Sequence, residues 1–220
     1  ATLHNIDQIN KLDVRVGDTV VIQKAGDIIP EVVEVLPSLR PKGSKKFSMP
    51  SKCPECDNDV TRKEGEAAYY CENPNCYAQR RRGVEHFVAK SALNIEGLGP
   101  SIVDKLFQAG LIHDASDLFK LKQEDLLMLE GFKEKSSQNV VEAIHARKNI
   151  LLNKFFTGLG INLVGTGVAE LITHALTEQL WSEKESITVK QFYSGLKKIS
   201  AEELEQIEGV GNKVAQSIVD

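Results

Sequence analysis

Hydrophobic and polar residues alternate through the first fifty residues of this 220-residue chain. In the stretch LDVRVGDTVVIQKAGDIIPEVVEVLP, valine and isoleucine recur in short alternating runs. The pairs Gly17-Asp18 and Gly26-Asp27 lie between these runs and are typical of turns. The pattern predicts several short strands that form a small barrel or half of one. An OB-fold is a reasonable hypothesis, because that barrel often serves nucleic acids.

After residue 90 the pattern changes to amphipathic runs that follow glycine. Four such stretches recur: NIEGLGPSIVDKLF, MLEGFKEKSSQNVVEAI, NLVGTGVAELI and QIEGVGNKVAQSIV. Aligned on their first glycines, Gly97, Gly131, Gly165 and Gly209, they are separated by 34, 34 and 44 residues. Glycine permits the positive φ angle of a very tight turn, and the runs that follow have helical spacing. Each copy is therefore predicted to be one unit of helix, hairpin and helix.

The predicted hairpins suit the phosphate groups of DNA. Each lies at the N-terminus of a helix, where backbone N–H groups have no partner within the helix and the macrodipole is positive. Such contacts carry no sequence information. The candidate DNA-binding residues here are Gly97, Leu98, Gly99, Gly131, Phe132, Gly165, Thr166, Gly167, Gly209, Val210 and Gly211. The second copy lacks its second glycine and would contact phosphate poorly or serve packing, and helix packing remains an alternative for any single copy.

All four cysteines of the chain lie in one polar window. Two residues separate Cys53 from Cys56, fourteen separate Cys56 from Cys71, and four separate Cys71 from Cys76. Two short cysteine loops of this kind can place four thiolates around zinc, and a hairpin turning near Gly65 is predicted between them. A pair of disulfides is the alternative, but the absence of a signal peptide favours a reducing compartment. The predicted site is a closed, structural zinc site.

Charge is distributed unevenly along the chain. The formal net charge is −4, yet residues 40–90 carry eleven basic and seven acidic side chains. Arg80, Arg81 and Arg82 follow the last cysteine after three intervening residues and are candidates for phosphate contact, with a solvated linker as the alternative. Neither a membrane span nor a signal peptide is recognisable. Because the chain starts at Ala1, it is expected to be a piece of a longer protein.

The order of these features resembles the bacterial NAD-dependent DNA ligases. The resemblance rests on ATLHN, GDTVVIQKAGDIIPEV, the four-cysteine window and the four repeats that begin at NIEGLG, which look like helix-hairpin-helix motifs. It is looser over residues 179–200. The predicted fold is multidomain and mainly α, with an OB-fold over residues 1–50 that is incomplete at its N-terminus. A four-cysteine zinc module over 51–82 and an all-α helix-hairpin-helix domain over 83–220 would follow it.

The resemblance implies the DNA-binding part of an enzyme that seals nicks in duplex DNA during replication and repair. An upstream adenylation domain of the same polypeptide would use NAD and Mg, which this fragment would not bind, because no Lys-x-Asp-Gly motif occurs in it. The fragment alone is predicted to be inactive, and to bind zinc and nicked double-stranded DNA but no membrane. The enzyme would be cytoplasmic and associated with the bacterial nucleoid.

The resemblance also implies DNA contacts for the first domain. Lys24, Gly26 and Asp27 match the family's barrel motif and would face the DNA near the nick. Ile28 and Ile29 would press into the minor groove, as apolar wedges do elsewhere. For these two isoleucines, alternation alone favours the ordinary role of barrel core.

Two other classes of protein remain open at this level. The chain could be the helix-hairpin-helix portion of another repair protein, such as a nuclease or a helicase accessory, although it shows no carboxylate and histidine cluster typical of a nuclease metal site. It could also be a zinc-stabilised scaffold that binds protein. Steep loss of affinity with salt would distinguish DNA binding from that second class.

Overall fold

The computed structural model describes residues 1, 3–26, 28–62, 65–182 and 184–220. These residues form two compact units, Ala1–Tyr77 and Ala78–Asp220. The strands are β1 (Val20–Ala25), β2 (Ile29–Val35), β3 (Val60–Thr61) and β4 (Tyr70–Cys71). The helices are α1 (Ile6–Leu12), α2 (Tyr77–Val88), α3 (Pro100–Gln108), α4 (Gln123–Leu127), α5 (Glu134–Ala146), α6 (Leu152–Gly158), α7 (Thr166–Leu180), α8 (Val189–Leu196), α9 (Ala201–Glu205) and α10 (Asn212–Val219). The mainly α fold class agrees with the prediction.

The first unit contains one helix and two separate hairpins. Strands β1 and β2 pair antiparallel, with a bulge between Val21 and Ile22, and β3 pairs antiparallel with β4. Helix α1 was not predicted. It begins after Asn5, whose side chain accepts a hydrogen bond from the backbone N–H of Asp7 at 2.9 Å. This cap satisfies one of the unpaired donors of the first turn.

A small core and an ion-pair network fix the entry to β1. Buried residues of α1 and β2, with Val14 between the elements, form the apolar core. Beside it, the Arg40 guanidinium donates to the Asp18 carboxylate at 2.8 Å and to Asp13 at 2.8 Å. Arg15 donates to Asp13 at 3.0 Å. The Asp18 side chain is inaccessible to solvent, so it depends on these donors for its hydrogen bonds.

The second unit is entirely helical in the residues described and is built from repeated helix, hairpin and helix segments. The successive pairs α4 and α5, α6 and α7, and α9 and α10 are each joined by a hairpin, and α3 follows a further hairpin after α2. Two apolar cores run through the unit. One lies under α2 to α5 and includes Leu106 and Ile144, and the other lies under α6 to α10 and includes Phe156 and Ile172, all four of which are fully buried.

The hairpins brace one another in two reciprocal pairs. In the first pair, the Lys105 ammonium of α3 donates to the Glu130 carbonyl at 2.9 Å, and a Cβ on Gly97 would lie against Val140 of α5. The second pair repeats this exchange, because the Ser217 hydroxyl of α10 donates to the Asn162 carbonyl at 2.7 Å. Each tandem therefore holds its two hairpins in fixed positions, which is what a rigid binding surface needs.

Candidate metal centre and nucleic-acid interface

The four cysteines converge in the first unit. Their sulfur atoms all lie within 4.8 Å of one another, and Cys53 and Cys76 are buried. The Cys53 and Cys76 sulfurs are 4.0 Å apart, and those of Cys56 and Cys71 are 3.5 Å apart. A tetrahedral zinc site with bonds of about 2.3 Å requires sulfur separations of about 3.8 Å. The sulfur positions fit that requirement.

Tight backbone turns bring these cysteines together. The N–H of Asp57 donates to the Cys53 carbonyl at 2.9 Å, and the N–H of Cys53 donates to the Asn58 carbonyl at 2.7 Å. Asp57 has a φ of 55°, a conformation that Asp tolerates better than most residues. The second loop closes with the Cys76 N–H donating to the Asn73 carbonyl at 3.0 Å. The predicted hairpin between the two loops is present as β3 and β4.

The close packing of the thiols gives Cys56 and Cys71 different pKa values. The Asn73 side chain is the largest influence that lowers the pKa of Cys56, to about 6, with the Asn58 backbone contributing. The Asn73 backbone also favours the thiolate of Cys71. Burial and the neighbouring Cys56 and Cys53 outweigh it and raise the pKa of Cys71 to about 12. Two sulfurs 3.5 Å apart cannot both carry a charge at neutral pH without a cation between them.

In the second unit the hairpins share one backbone geometry. The residue that precedes the second helix is extended in every copy: Gly99 (φ −82°), Lys133 (φ −131°), Gly165 (φ −85°) and Gly211 (φ −88°). Two residues earlier, φ is positive at Gly97 (82°), Gly131 (92°), Leu163 (65°) and Gly209 (90°). The apolar residues between these positions are Leu98, Phe132, Val164 and Val210, which are buried or partly buried in the cores.

This geometry corrects the alignment of the third copy. The first-glycine alignment matched Gly165 with Gly97, but Gly165 precedes α7 as Gly99 precedes α3. Thr166 and Gly167 are the first residues of α7 rather than part of the hairpin. Leucine occupies the left-handed position there, so the repeat was misaligned by two residues. Alignment on the buried apolar residue of each hairpin would have found the correct register.

The hairpin glycines fall into two groups, which differ in whether the fold itself requires glycine. At Gly97 the backbone is left-handed, and a Cβ would lie 2.7 Å from Val140 Cγ2, so the fold itself requires glycine. Gly99, Gly165 and Gly211 have extended φ values that any residue adopts. Among the described residues, no neighbouring atom lies within 4 Å of a Cβ built at any of these three positions. Neither conformation nor internal packing explains glycine there.

The predicted wedge residues lie at an exposed hairpin tip in the first unit. Ile28 is 83% exposed and Ile29 is 61% exposed. Gly26 turns the chain with a φ of 55°, and the Ile28 N–H donates to its carbonyl at 2.9 Å. Lys24 is exposed on β1, whereas Asp27 lies outside the described residues. The expectation that Ile28 and Ile29 form the barrel core is therefore wrong for this structure.

The three arginines are part of a helix and differ from one another. All three lie in α2, which begins at Tyr77, rather than in a loop or linker. Arg81 pairs with Glu85 at 3.0 Å and with Asp104 at 3.5 Å. Arg80 and Arg82 are exposed. The structure therefore gives Arg81 a role within the fold and leaves the other two at the surface.

Comparison with known proteins agrees with this organisation. Residues 1–44 match the NAD-dependent DNA ligase OB-fold domain, residues 52–78 match the NAD-dependent DNA ligase C4 zinc finger domain, and residues 89–146 match the SAM-like helix-hairpin-helix tandem. A DNA ligase of Halothermothrix orenii is 47% identical over 221 residues. One from Halalkalibacterium halodurans is 44% identical over 219 residues. Each alignment covers the whole of this chain but only 31% of the relative.

These findings define the class of protein, which is a zinc-finger protein with an OB-fold segment and tandem helix-hairpin-helix units. The order of the three matches and the similarity along the full chain make the assignment specific. The chain belongs to the NAD-dependent DNA ligase family and corresponds to about a third of the length of its relatives. The close set of four cysteines and the C4 zinc finger match support zinc as its metal. Within the described residues, no helix is long and apolar enough to cross a membrane.

Proposed function

We propose that this chain binds duplex DNA through the sugar-phosphate backbone, without sequence specificity, as part of a ligase that seals nicks. The observation that carries this proposal is the glycine at positions 99, 165 and 211, where neither backbone conformation nor packing in the described part of the chain requires it. A phosphate group placed on the helix N-terminus would meet any side chain at these positions. Glycine there allows the backbone N–H groups to reach the phosphate oxygens directly.

The binding surface would have unequal contributions from the four hairpins. Gly99, Gly165 and Gly211 leave three helix N-termini open. Lys133 occupies the equivalent position before α5, where its backbone N–H donates to the Ser136 hydroxyl at 2.8 Å. That donor is already occupied, and a side chain stands where the other copies have none. The second hairpin is therefore proposed to serve mainly to brace the first, through the bond from Lys105 to Glu130.

The first unit would supply the contact at the nick. Ile28 and Ile29 project from the β1 and β2 hairpin with large exposed apolar surfaces, which is unfavourable in water and is explained by insertion between bases in the minor groove. Lys24, on the same hairpin, would contact a neighbouring phosphate. A nick makes such a wedge less costly, because one strand is already interrupted. Preference for nicked over intact duplex would follow.

Zinc would be held by Cys53, Cys56, Cys71 and Cys76 and would have a structural role. Strands β3 and β4 contain two residues each, which is too little to form a stable hairpin alone. When bound, zinc would cross-link both loops and neutralise the adjacent thiolates.

We also propose that the chain is divided into an OB-fold over residues 1–50, a zinc module over 51–82 and a helix-hairpin-helix domain over 83–220.

Catalysis would require more than this chain. The family uses an adenylation domain, NAD and Mg, and Lys-x-Asp-Gly is absent from these 220 residues. We therefore propose that the complete polypeptide is the ligase, acting on chromosomal DNA in the bacterial cytoplasm, and that this chain alone forms no covalent AMP adduct. Incubation with labelled NAD tests this directly, since a labelled 24.3 kDa band would contradict it.

DNA binding is tested by titrating the zinc-loaded chain against nicked and intact duplexes of one sequence at several salt concentrations. We expect binding that is indifferent to sequence, steeply weakened by salt, and stronger for the nicked duplex. A second, unrelated sequence serves as the control for specificity. Failure to bind either duplex at low salt would overturn the proposed function.

A further inference from the structure

The outward surface of α2 carries basic residues and an unexplained glycine. Arg82, Gly83 and His86 are exposed and fall within an arc of about 100° at helical spacing. Lys90 is exposed just beyond the end of the helix. The opposite side of α2 consists of the buried residues Val84, Phe87 and Val88. We call Arg82, Gly83, His86 and Lys90 the α2 outer face.

Gly83 is not explained by the fold. It lies inside a helix of twelve residues, where glycine is the poorest residue after proline. Its backbone is helical, and no atom in the described part of the chain lies within 4 Å of a Cβ built there. A larger residue would therefore fit and would favour the helix. Glycine leaves this part of the α2 surface without a side chain, as the glycines at 99, 165 and 211 do at the hairpins.

The α2 outer face is continuous with the third hairpin. The Nε2 atom of His86 lies 2.8 Å from the carbonyl oxygen of Thr157, within hydrogen-bonding distance. The His86 ring is also 3.3 Å from the position of a Cβ on Gly160. Thr157 and Gly160 lead from α6 into the turn that ends at Gly165. The α2 outer face therefore adjoins the segment that leads into the third hairpin.

The charge of the α2 outer face also favours DNA as its partner. The α2 outer face includes two basic side chains, Arg82 and Lys90, and no acidic residue. The one carboxylate of α2, Glu85, is bound to Arg81 at 3.0 Å. A polyanion can approach the face without meeting an unpaired carboxylate of this helix. A sugar-phosphate strand has the regular charge spacing and narrow profile that such a surface fits.

We propose that the α2 outer face is a further DNA-backbone site that extends the interface of the third hairpin. This inference rests on the proposed function, since it assumes that the hairpin binds phosphate. Arg82 and Lys90 would contact successive phosphates of one strand, and Gly83 would let that strand approach the helix. The zinc finger match ends at residue 78 and the helix-hairpin-helix match begins at residue 89, so Arg82, Gly83 and His86 lie in a segment that neither match covers.

The test compares DNA affinity with stability in variants of the whole chain. Gly83→Met should leave the melting temperature unchanged or raise it, because methionine is the better helix former, while DNA affinity falls. Arg82→Gln combined with Lys90→Gln should lower the slope of log affinity against log salt by about 2, about 1 for each phosphate contact. Lys190→Gln is the matched control on α8, and it should change neither quantity.

The outcomes separate this inference from the proposed function. If the unaltered chain does not bind duplex DNA at low salt, both fail. If it binds, Gly99→Ala weakens binding, and the α2 variants match the Lys190→Gln control, then the hairpins bind DNA and the α2 site is refuted. Loss of affinity in the α2 variants with normal melting would support the site.

Discussion

The two kinds of hairpin glycine predict opposite effects of the same substitution two residues apart. Gly97→Ala places a side chain in a left-handed conformation, which costs about 1–2 kcal/mol. Its methyl group would also lie 2.7 Å from Val140 Cγ2, and overpacking of this kind costs about 1–3 kcal/mol. The expected loss of stability is therefore about 3 kcal/mol. With melting temperatures shifting by about 3 °C for each kcal/mol in a unit of this size, Gly97→Ala should melt about 10 °C lower.

Gly99→Ala should have the reverse pattern. Its φ of −82° and ψ of 171° suit alanine, and the site is open within the described structure. Because the N-cap preference for glycine over alanine offsets the lower entropy of the unfolded alanine chain, stability should change by less than about 1 kcal/mol. If the methyl group displaces a phosphate from one backbone N–H, the lost charge-assisted hydrogen bond is worth about 1.5 kcal/mol. That corresponds to about tenfold weaker DNA binding. Gly211→Ala, at the equivalent position before α10, should behave in the same way.

Thermal melting and fluorescence anisotropy with a labelled nicked duplex measure the two effects independently. The informative result is that the two variants lose different properties. Gly97→Ala should lose stability, whereas Gly99→Ala should remain stable and bind DNA more weakly. Affinity should be compared at a temperature where both variants are folded. Unchanged affinity for both Gly99→Ala and Gly211→Ala would refute the argument that these glycines accommodate phosphate. An unchanged melting temperature for Gly97→Ala would refute the steric argument.

Three further predictions concern the first unit. Cys53→Ser, or removal of zinc by a chelator, should unfold the zinc module and release the metal, and unchanged zinc content and melting after Cys53→Ser would contradict the four-cysteine site. The Arg40 guanidinium is the main cause that lowers the pKa of Asp18, so the ionised Asp18 stabilises the fold above the ordinary value of 3.8, and this stabilisation is lost as the pH falls below about 4. Arg40→Gln should therefore make the melting temperature depend less on pH in the acid range. Melting temperatures of both proteins that fall in parallel from about pH 6 to 2 would argue against this. Ile28→Ser should leave melting unchanged, because the side chain is 83% exposed, yet weaken binding to nicked duplex, and equal affinity of the two proteins would exclude the wedge.

The features predicted best from sequence were those fixed by local chemistry. Metal ligands must be cysteines at short spacing, and the sequence alone predicted a convergence that the sulfur distances then fitted. The repeated glycine before an amphipathic run likewise predicted the hairpins, since few other residues permit a left-handed turn. Fold class and family followed from the order of these signals along the chain. These are the cases in which one residue type is almost the only physical solution.

The predictions that failed depended on tertiary context. Alternation suggested that Ile28 and Ile29 were buried, but only the register and end of the β1 and β2 hairpin determine which apolar residues meet a core. The three arginines looked equivalent in sequence, although Arg81 pairs with Asp104, 23 residues further along the chain. Helix α1 was missed because its short sequence IDQINKL lies beside a strand pattern and depends on its Asn5 cap and its packing.

The third hairpin shows why glycine alone is an ambiguous signal. Leu163 adopts the left-handed conformation that glycine adopts in the other three copies, so the fold holds the turn even where the local preference opposes it. Gly165 has no such conformational requirement and is nevertheless glycine, as are its counterparts Gly99 and Gly211. Both positions are glycine in three copies of four, although the backbone conformation favours glycine at only one of them. The N-cap preference for glycine is shared by Ser, Thr, Asn and Asp and does not by itself select glycine three times. An external group that approaches the helix N-terminus accounts for this pattern.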